Sequence, residues 1–122
     1  MRASLERLNR TPGIIGSLVV AFDGLVIEKD VAEGLNASVL AAEALNVAAG
    51  FGSVADLGGI GDADSCVLQG ERGMVCALPL TGIGWLVALG DGDANVGPVR
   101  QAMQLAAGEI VGLTPVAWDN GD

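Results

Sequence analysis

Histidine and tyrosine are both absent from the 122 residues, and tryptophan and phenylalanine supply only two residues each. Histidine is the side chain most used as a general base near neutral pH and the commonest metal ligand. Its absence weighs against most hydrolase and metalloenzyme chemistry. Aromatic residues make up 3% of the chain while apolar residues make up 51%, so the core must be built from Val, Ile, Leu and Ala at close quarters. Recognition of a ligand by ring stacking has little to work with. Cations are scarce too: 6 Lys and Arg stand against 15 Asp and Glu, a net charge of −9 that repels phosphate backbones and anionic lipid surfaces. The N-terminus lacks the basic segment and apolar stretch of a signal peptide. Apolar runs are broken by Gly, Pro or Asp before the ~18 residues that a membrane helix needs. These features lead to the expectation of a cytoplasmic protein without a spanning segment, and its two cysteines are expected to be free thiols in a reducing compartment.

The residues that are present fall into a pattern for one domain. Ser4 stands where it can cap a short helix through Leu5, Leu8 and Asn9, ended by Pro12-Gly13. Ile14 to Phe22 is almost wholly apolar and rich in β-branched residues, as in a strand covered on both faces. Asp23-Gly24 then signals a hairpin returning through Leu25 to Lys29. With Asn36 as N-cap, the Ala- and Leu-rich stretch Ala37 to Gly52 reads as a central helix. Its 100° wheel puts Leu40, Ala44, Val47, Ala48 and Phe51 on one face, Ala41, Leu45 and Ala49 beside it, and Asn36, Glu43 and Asn46 opposite. Val54 to Ser65 has loop chemistry. Cys66 to Gln69, Met74 to Leu80 and Trp85 to Leu89 form a three-stranded meander, and Val99, Met103, Ala106 and Ile110 recur as the buried face of a last helix stopped at Gly112. The expected fold is an α/β sandwich of order α-β-β-α-β-β-β-α, one five-stranded antiparallel sheet with helices on both faces. Residues 1–113 form the domain and 114–122 a frayed tail, in which Trp118 is free to dock onto the domain or onto a partner.

This order, with Leu5-x-x-Leu8, then Gly13-Ile14-Ile15-Gly16-Ser17-Leu18-Val19-Val20, then Asp23-Gly24-Leu25-Val26-Ile27, resembles the Roadblock/dynein light chain family. The resemblance implies a Roadblock/profilin-like fold and a homodimer in which central helices pack together and the following strands pair into one continuous sheet. It further implies a non-catalytic role: binding a small Ras-like GTPase and modulating its nucleotide cycle, GTPase activation included, or alternatively serving as a structural adaptor in a larger complex. Ala41, Leu45 and Ala49, which extend the apolar sector of the helix, and the uncharged strand Cys66, Val67, Leu68 and Gln69 are the expected pairing residues. Glu43 and Asn46, on the outward face, are the expected partner contacts, with no cofactor.

Other features read as structural. Asp91-Gly92-Asp93-Ala94-Asn95 begins like a calcium loop, but Val96 replaces the required Gly and Ala102 the bidentate Glu, which leaves a turn with Asn95 as N-cap. Gly58-Gly59-Ile60-Gly61 leaves a helix and approaches a strand, the reverse of a dinucleotide fingerprint. Asp56, Asp62 and Asp64 read as solvated loop acids, and Cys66 and Cys76 fall short of a zinc site. Arg72 at a hairpin tip and Arg100 on the last helix are each either a solvated cation, or an arginine finger or anchor facing a partner, and Arg72 is taken as a partner-binding residue.

Overall fold

The run after Gly13 forms a strand because neighbours cover both of its faces: five consecutive residues of it, Gly16 to Val20, are buried. The computed structural model describes residues 1–113. These form α1 (Arg2–Leu8), β1 (Ile14–Ala21), β2 (Val26–Asp30), α2 (Ala37–Gly58), β3 (Cys66–Gly70), β4 (Gly73–Leu80), β5 (Gly84–Asp91) and α3 (Val96–Leu113). Residues 114–122, with Trp118, lie outside the described residues. The sheet order is β2-β1-β5-β4-β3, with antiparallel pairing throughout. The expected element order and sheet are both found.

The two faces of the sheet carry unequal cores. On one, α1 and α3 enclose Leu5, Val19, Leu78, Leu86, Met103 and Ile110 among others. On the other, α2 covers a smaller set that includes Leu18, Val20, Ala41, Ala48, Ala77 and Val87. The α3 face is as expected, with Val99, Met103, Ala106 and Ile110 all buried.

Ser4 does not cap α1. The helix begins at Arg2 behind Met1, and Ser4 is buried within it, its hydroxyl donating to Glu109 Oε1 at 2.9 Å. Arg7 also donates to Glu109, and these two bonds hold the carboxyl below its ordinary pKa, the Arg7 bond first. Asn9, the C-cap, ties the helix to the sheet: its Nδ2 donates to the Asp30 carbonyl at 2.8 Å and its Oδ1 accepts from the Ser17 hydroxyl at 2.7 Å. That bond satisfies Ser17, which is fully buried.

The hairpins turn at the expected places with small shifts in the strand ends. Phe22 lies in the first turn instead of β1, Leu25 precedes β2, and Gly24 takes φ +92°, a conformation that L side chains disfavour. Asn36 caps α2 as anticipated, accepting from the Val39 amide at 3.1 Å. The helix, however, continues through Gly52 to Gly58, so Val54 to Gly58 is helix where a loop was expected. Each glycine costs a helix about 1 kcal/mol relative to alanine without breaking its hydrogen bonds. The stop comes at Gly59, at φ +67°, where the Ile60 amide bonds the Ala55 carbonyl at 3.2 Å. The clustered glycines therefore serve as a helix terminus. At Asp91 the turn reading holds: the Asp93 amide donates to Asp91 Oδ1 at 2.8 Å, within the connection to α3.

Candidate functional site

Helix α2 has 22 residues, of which four, all alanines, are buried: Ala37, Ala41, Ala48 and Ala55. At about 100° per residue these lie on one narrow line, and their small side chains let the helix sit close to the sheet. The hydrophobic wheel places the sheet-facing stripe on Leu40, Ala44, Val47, Ala48 and Phe51. The structure turns the helix from that setting. Ala41, expected at a pairing surface, has no exposed area and belongs to the protomer's own core, while Val47 and Phe51 are 46% and 41% exposed.

The turn decides which flank adjoins β3. Glu43, Ala44, Val47 and Phe51 from α2 line a shallow apolar groove with Cys66, Val67 and Leu68 from β3 and Val75 and Ala77 from β4. Ala49 is exposed and projects from the flank away from this groove, and Leu45 is half-buried against the alanine side of the core. Ala49 is therefore an exposed residue of α2 outside the groove beside β3. The patch that does exist continues past the groove to Val54, Leu57 and Ile60, which are 62%, 90% and 78% exposed. Sequence reasoning missed Val54 and Leu57 by assigning them to a loop, where Ile60, just past the helix end, does lie. The available signal was a spacing of small residues, Ala37, Ala41, Ala48 and Ala55, with larger apolar residues to the side.

Strand β3 is the outermost strand on its side of the sheet, bonded only to β4 among the described residues. Its sequence, CVLQG, carries no charge, and such an edge offers its outward backbone groups to another strand. Cys66 is buried, Val67 half-buried, and Leu68 and Gln69 exposed. Leu68, 60% exposed, shares the α2 side of the sheet with Cys66 and so extends the apolar groove to the edge.

Charge surrounds this surface with one sign. No Lys or Arg occurs between Lys29 and Arg72. Glu43 and Asn46 both stand exposed on α2, the Asn46 amide 3.4 Å from Glu43 Oε1. Arg72 and Glu71 form the two-residue tip between β3 and β4, each side chain 92% exposed and the pair 3.7 Å apart. Arg100 is placed differently: its guanidinium lies 3.7 Å from Asp64, and its Nε is buried without a hydrogen-bond partner among the described residues.

The cysteines are free and buried. In the β3–β4 register Cys66 faces Ala77 and Val67 faces Cys76, so the two thiols occupy opposite faces of the sheet. Burial pushes both thiols above their ordinary pKa, with Arg100 partly offsetting this at Cys76. Chemically, the exposed surface offers an apolar helix flank and an open strand edge. Among the described residues, α2 is also the one helix long and apolar enough to cross a membrane by length and composition, with a mean hydropathy of 1.4. The shorter helix read from the sequence concealed this. Its alanine line is seated on the sheet, and Glu43 and Asp56 put charge on the rest of its surface.

No family model matches the sequence. The uncharacterized protein MJ0310 of Methanocaldococcus jannaschii is 36% identical over 110 residues, covering 87% of this chain and 92% of that protein. The Roadblock/LC7 domain from Streptomyces avermitilis superposes with a TM-score of 0.82 at 18% identity, covering 90% of this chain and 93% of the other. The gliding protein MglB from Thermus thermophilus superposes with a TM-score of 0.80 at 24% identity, over 90% and 84% of the two chains. The chain belongs to one family with its archaeal relative, and its fold is that of the Roadblock/LC7 domain.

Proposed function

We propose that this protein pairs with itself through β3 and the adjoining flank of α2, and that the dimer binds a small Ras-like GTPase and modulates its nucleotide cycle without doing chemistry of its own. The observation that carries the reading is the half-covered state of α2, whose Val47, Phe51 and Val54 lie exposed beside an uncharged strand edge. An apolar surface of this kind is characteristic of protein interfaces. Val47, Phe51, Val67, Leu68 and Gln69 are the proposed pairing residues, with Cys66 behind them; Ala41 stays in the protomer core, and Leu45 and Ala49 fall outside the contact. Glu43 and Asn46 are the proposed GTPase contacts, on the outward side of α2. The GTPase itself rests on the family resemblance and on the likeness to a gliding protein.

Light scattering on the purified protein tests the pairing, and a dimer mass is expected at micromolar concentration. A stable monomer at high concentration would refute it. GTP turnover by a small GTPase from the same genome tests the second half, with a changed rate expected on adding the dimer and a diminished effect in Asn46→Ala, a residue outside the groove. Binding without any change in turnover would replace the regulator with a structural adaptor.

A further inference from the structure

The face of the sheet that α1 and α3 cover is left open at one end. Residues paired across strands share a face, and one row of them crosses the sheet there. Leu80 faces Gly84, Gly84 faces Ala21, and Ala21, whose amide donates to the Leu25 carbonyl at 2.8 Å, faces Leu25. Leu80 belongs to the core that α1 and α3 enclose and is 1% exposed, whereas Leu25 at the other end of the row is 67% exposed. Between them Gly84 and Ala21 carry almost no side chain, so the row is a low apolar shelf walled by Leu25. Phe22, 63% exposed, stands in the same turn as Leu25.

Helix α3 brings the chain to this shelf. It starts past the end of β5 and runs back over the sheet, and its 18 residues, at about 1.5 Å each, match the length of the 8-residue strand at about 3.3 Å each. Its last turn is therefore level with the start of β5, and Val111 and Ile83 both pack against the same core. The sequence continues Thr114-Pro115-Val116-Ala117-Trp118, with one of the chain's two tryptophans. Five residues span at most about 17 Å, more than the diameter of one helix, about 10 Å, that separates α3 from Leu25. We infer that residues 114–118 fold back over this end of the sheet, and that the Trp118 indole covers Leu25 and the Gly84–Ala21 floor. A broad flat ring suits a floor of glycine and alanine, on which a branched side chain would leave gaps. The shelf is continuous with the α3 core and within reach of the end of α3, which favours this segment of the chain as its occupant. The inference is independent of the self-pairing proposed above, because β3 lies at the opposite edge of the sheet from β2.

Tryptophan fluorescence of the full chain tests the inference. Subtracting the emission of Trp118→Phe from that of the wild type isolates Trp118, because Trp85 is common to both. The isolated signal is expected at shorter wavelength than that of a peptide of residues 114–122, with an acrylamide quenching constant several-fold smaller. Leu25→Ser, compared with Leu25→Ser/Trp118→Phe, should return both quantities to the peptide values. Leu25 is exposed, so this change leaves the fold intact, which far-ultraviolet circular dichroism checks. Leu105→Ser, at an exposed position about two turns before the end of α3, should alter neither quantity. Peptide-like values in the wild type, or shielding that survives Leu25→Ser, would overturn the docking. Shielding that disappears on dilution would overturn it in favour of a second copy as the occupant. Shielding that arises only on adding a small GTPase would overturn it in favour of a partner protein.

Discussion

Leu68→Ala is the substitution with the most direct consequence for self-association. The side chain is 60% exposed in the single chain, and in an antiparallel self-pairing that engages all five residues of β3 this middle residue would meet its own copy on the α2 side of the sheet. Truncation to alanine removes three carbons, each worth about 0.8 kcal/mol when fully buried. Scaled by the fraction still available to be covered, this is about 1.4 kcal/mol per copy and about 3 kcal/mol per dimer. At 1.4 kcal/mol per factor of ten, the dissociation constant rises about 100-fold. The contacts that Leu68 makes within its own chain are fewer, so the monomer should lose only about 1 kcal/mol of stability. Sedimentation equilibrium over a concentration series reads the first quantity and urea unfolding of the dilute protein the second. Leu105→Ala is the matched control: this leucine on α3 is 73% exposed but far from β3, and its loss should leave dimerisation unchanged. A Leu68→Ala dissociation constant within about threefold of the wild type would refute both the interface and the arithmetic built on it.

Three further outcomes follow from the single chain. Glu109 has its pKa lowered by Arg7 and Ser4, so the stability it lends is present above the usual carboxylate range and lost as pH falls through the depressed value; urea midpoints of Glu109→Gln should be lower than wild type at neutral pH and converge with it in acid. Both thiols are buried with raised pKa values on opposite faces of the sheet, so a thiol reagent should modify the native protein slowly and the unfolded protein at once, and mild oxidation should give no Cys66–Cys76 disulfide on non-reducing gels. A Cβ placed on Gly73 would stand 2.2 Å from the carbonyl oxygen of Gly90. Because that oxygen belongs to the adjacent strand, Gly73→Ala should cost about 2 kcal/mol or more in chemical unfolding.

Much of the architecture can be read directly from residue patterns. The strand before Asp23-Gly24, the hairpin turn within Gly70 to Gly73 and the buried repeat Val99, Met103, Ala106 and Ile110 each depend on local chemistry, and each is found. Two failures have local physical causes. Ser4 looks like a cap because it is a serine near a helix start, but its hydroxyl serves a contact 105 residues away, with Glu109, that no local rule contains. The end of α2 is misplaced from sequence because Gly50 and Gly52 resemble a terminus. A glycine ends a helix only where the chain turns left-handed, and that happens at Gly59.

The orientation of α2 has the larger consequence for function. A hydrophobic wheel ranks side chains by apolar character and therefore aims Leu40, Val47 and Phe51 at the sheet. Packing distance uses the opposite criterion, because alanines allow the helix to approach closely and the bulky residues are left at its side. In a helix that serves one core alone this would leave large apolar area in water without compensation. A helix with two apolar partners, the sheet below and a second protein beside it, can assign its small residues to one and its large residues to the other. The placement of Val47, Phe51 and Val54 at 46%, 41% and 62% exposure, next to an open strand edge, fits that division. The acids along the same surface then act chiefly on the choice of partner. With no Lys or Arg between Lys29 and Arg72, a protein meeting the outer face of α2 must present a surface that tolerates or welcomes negative charge.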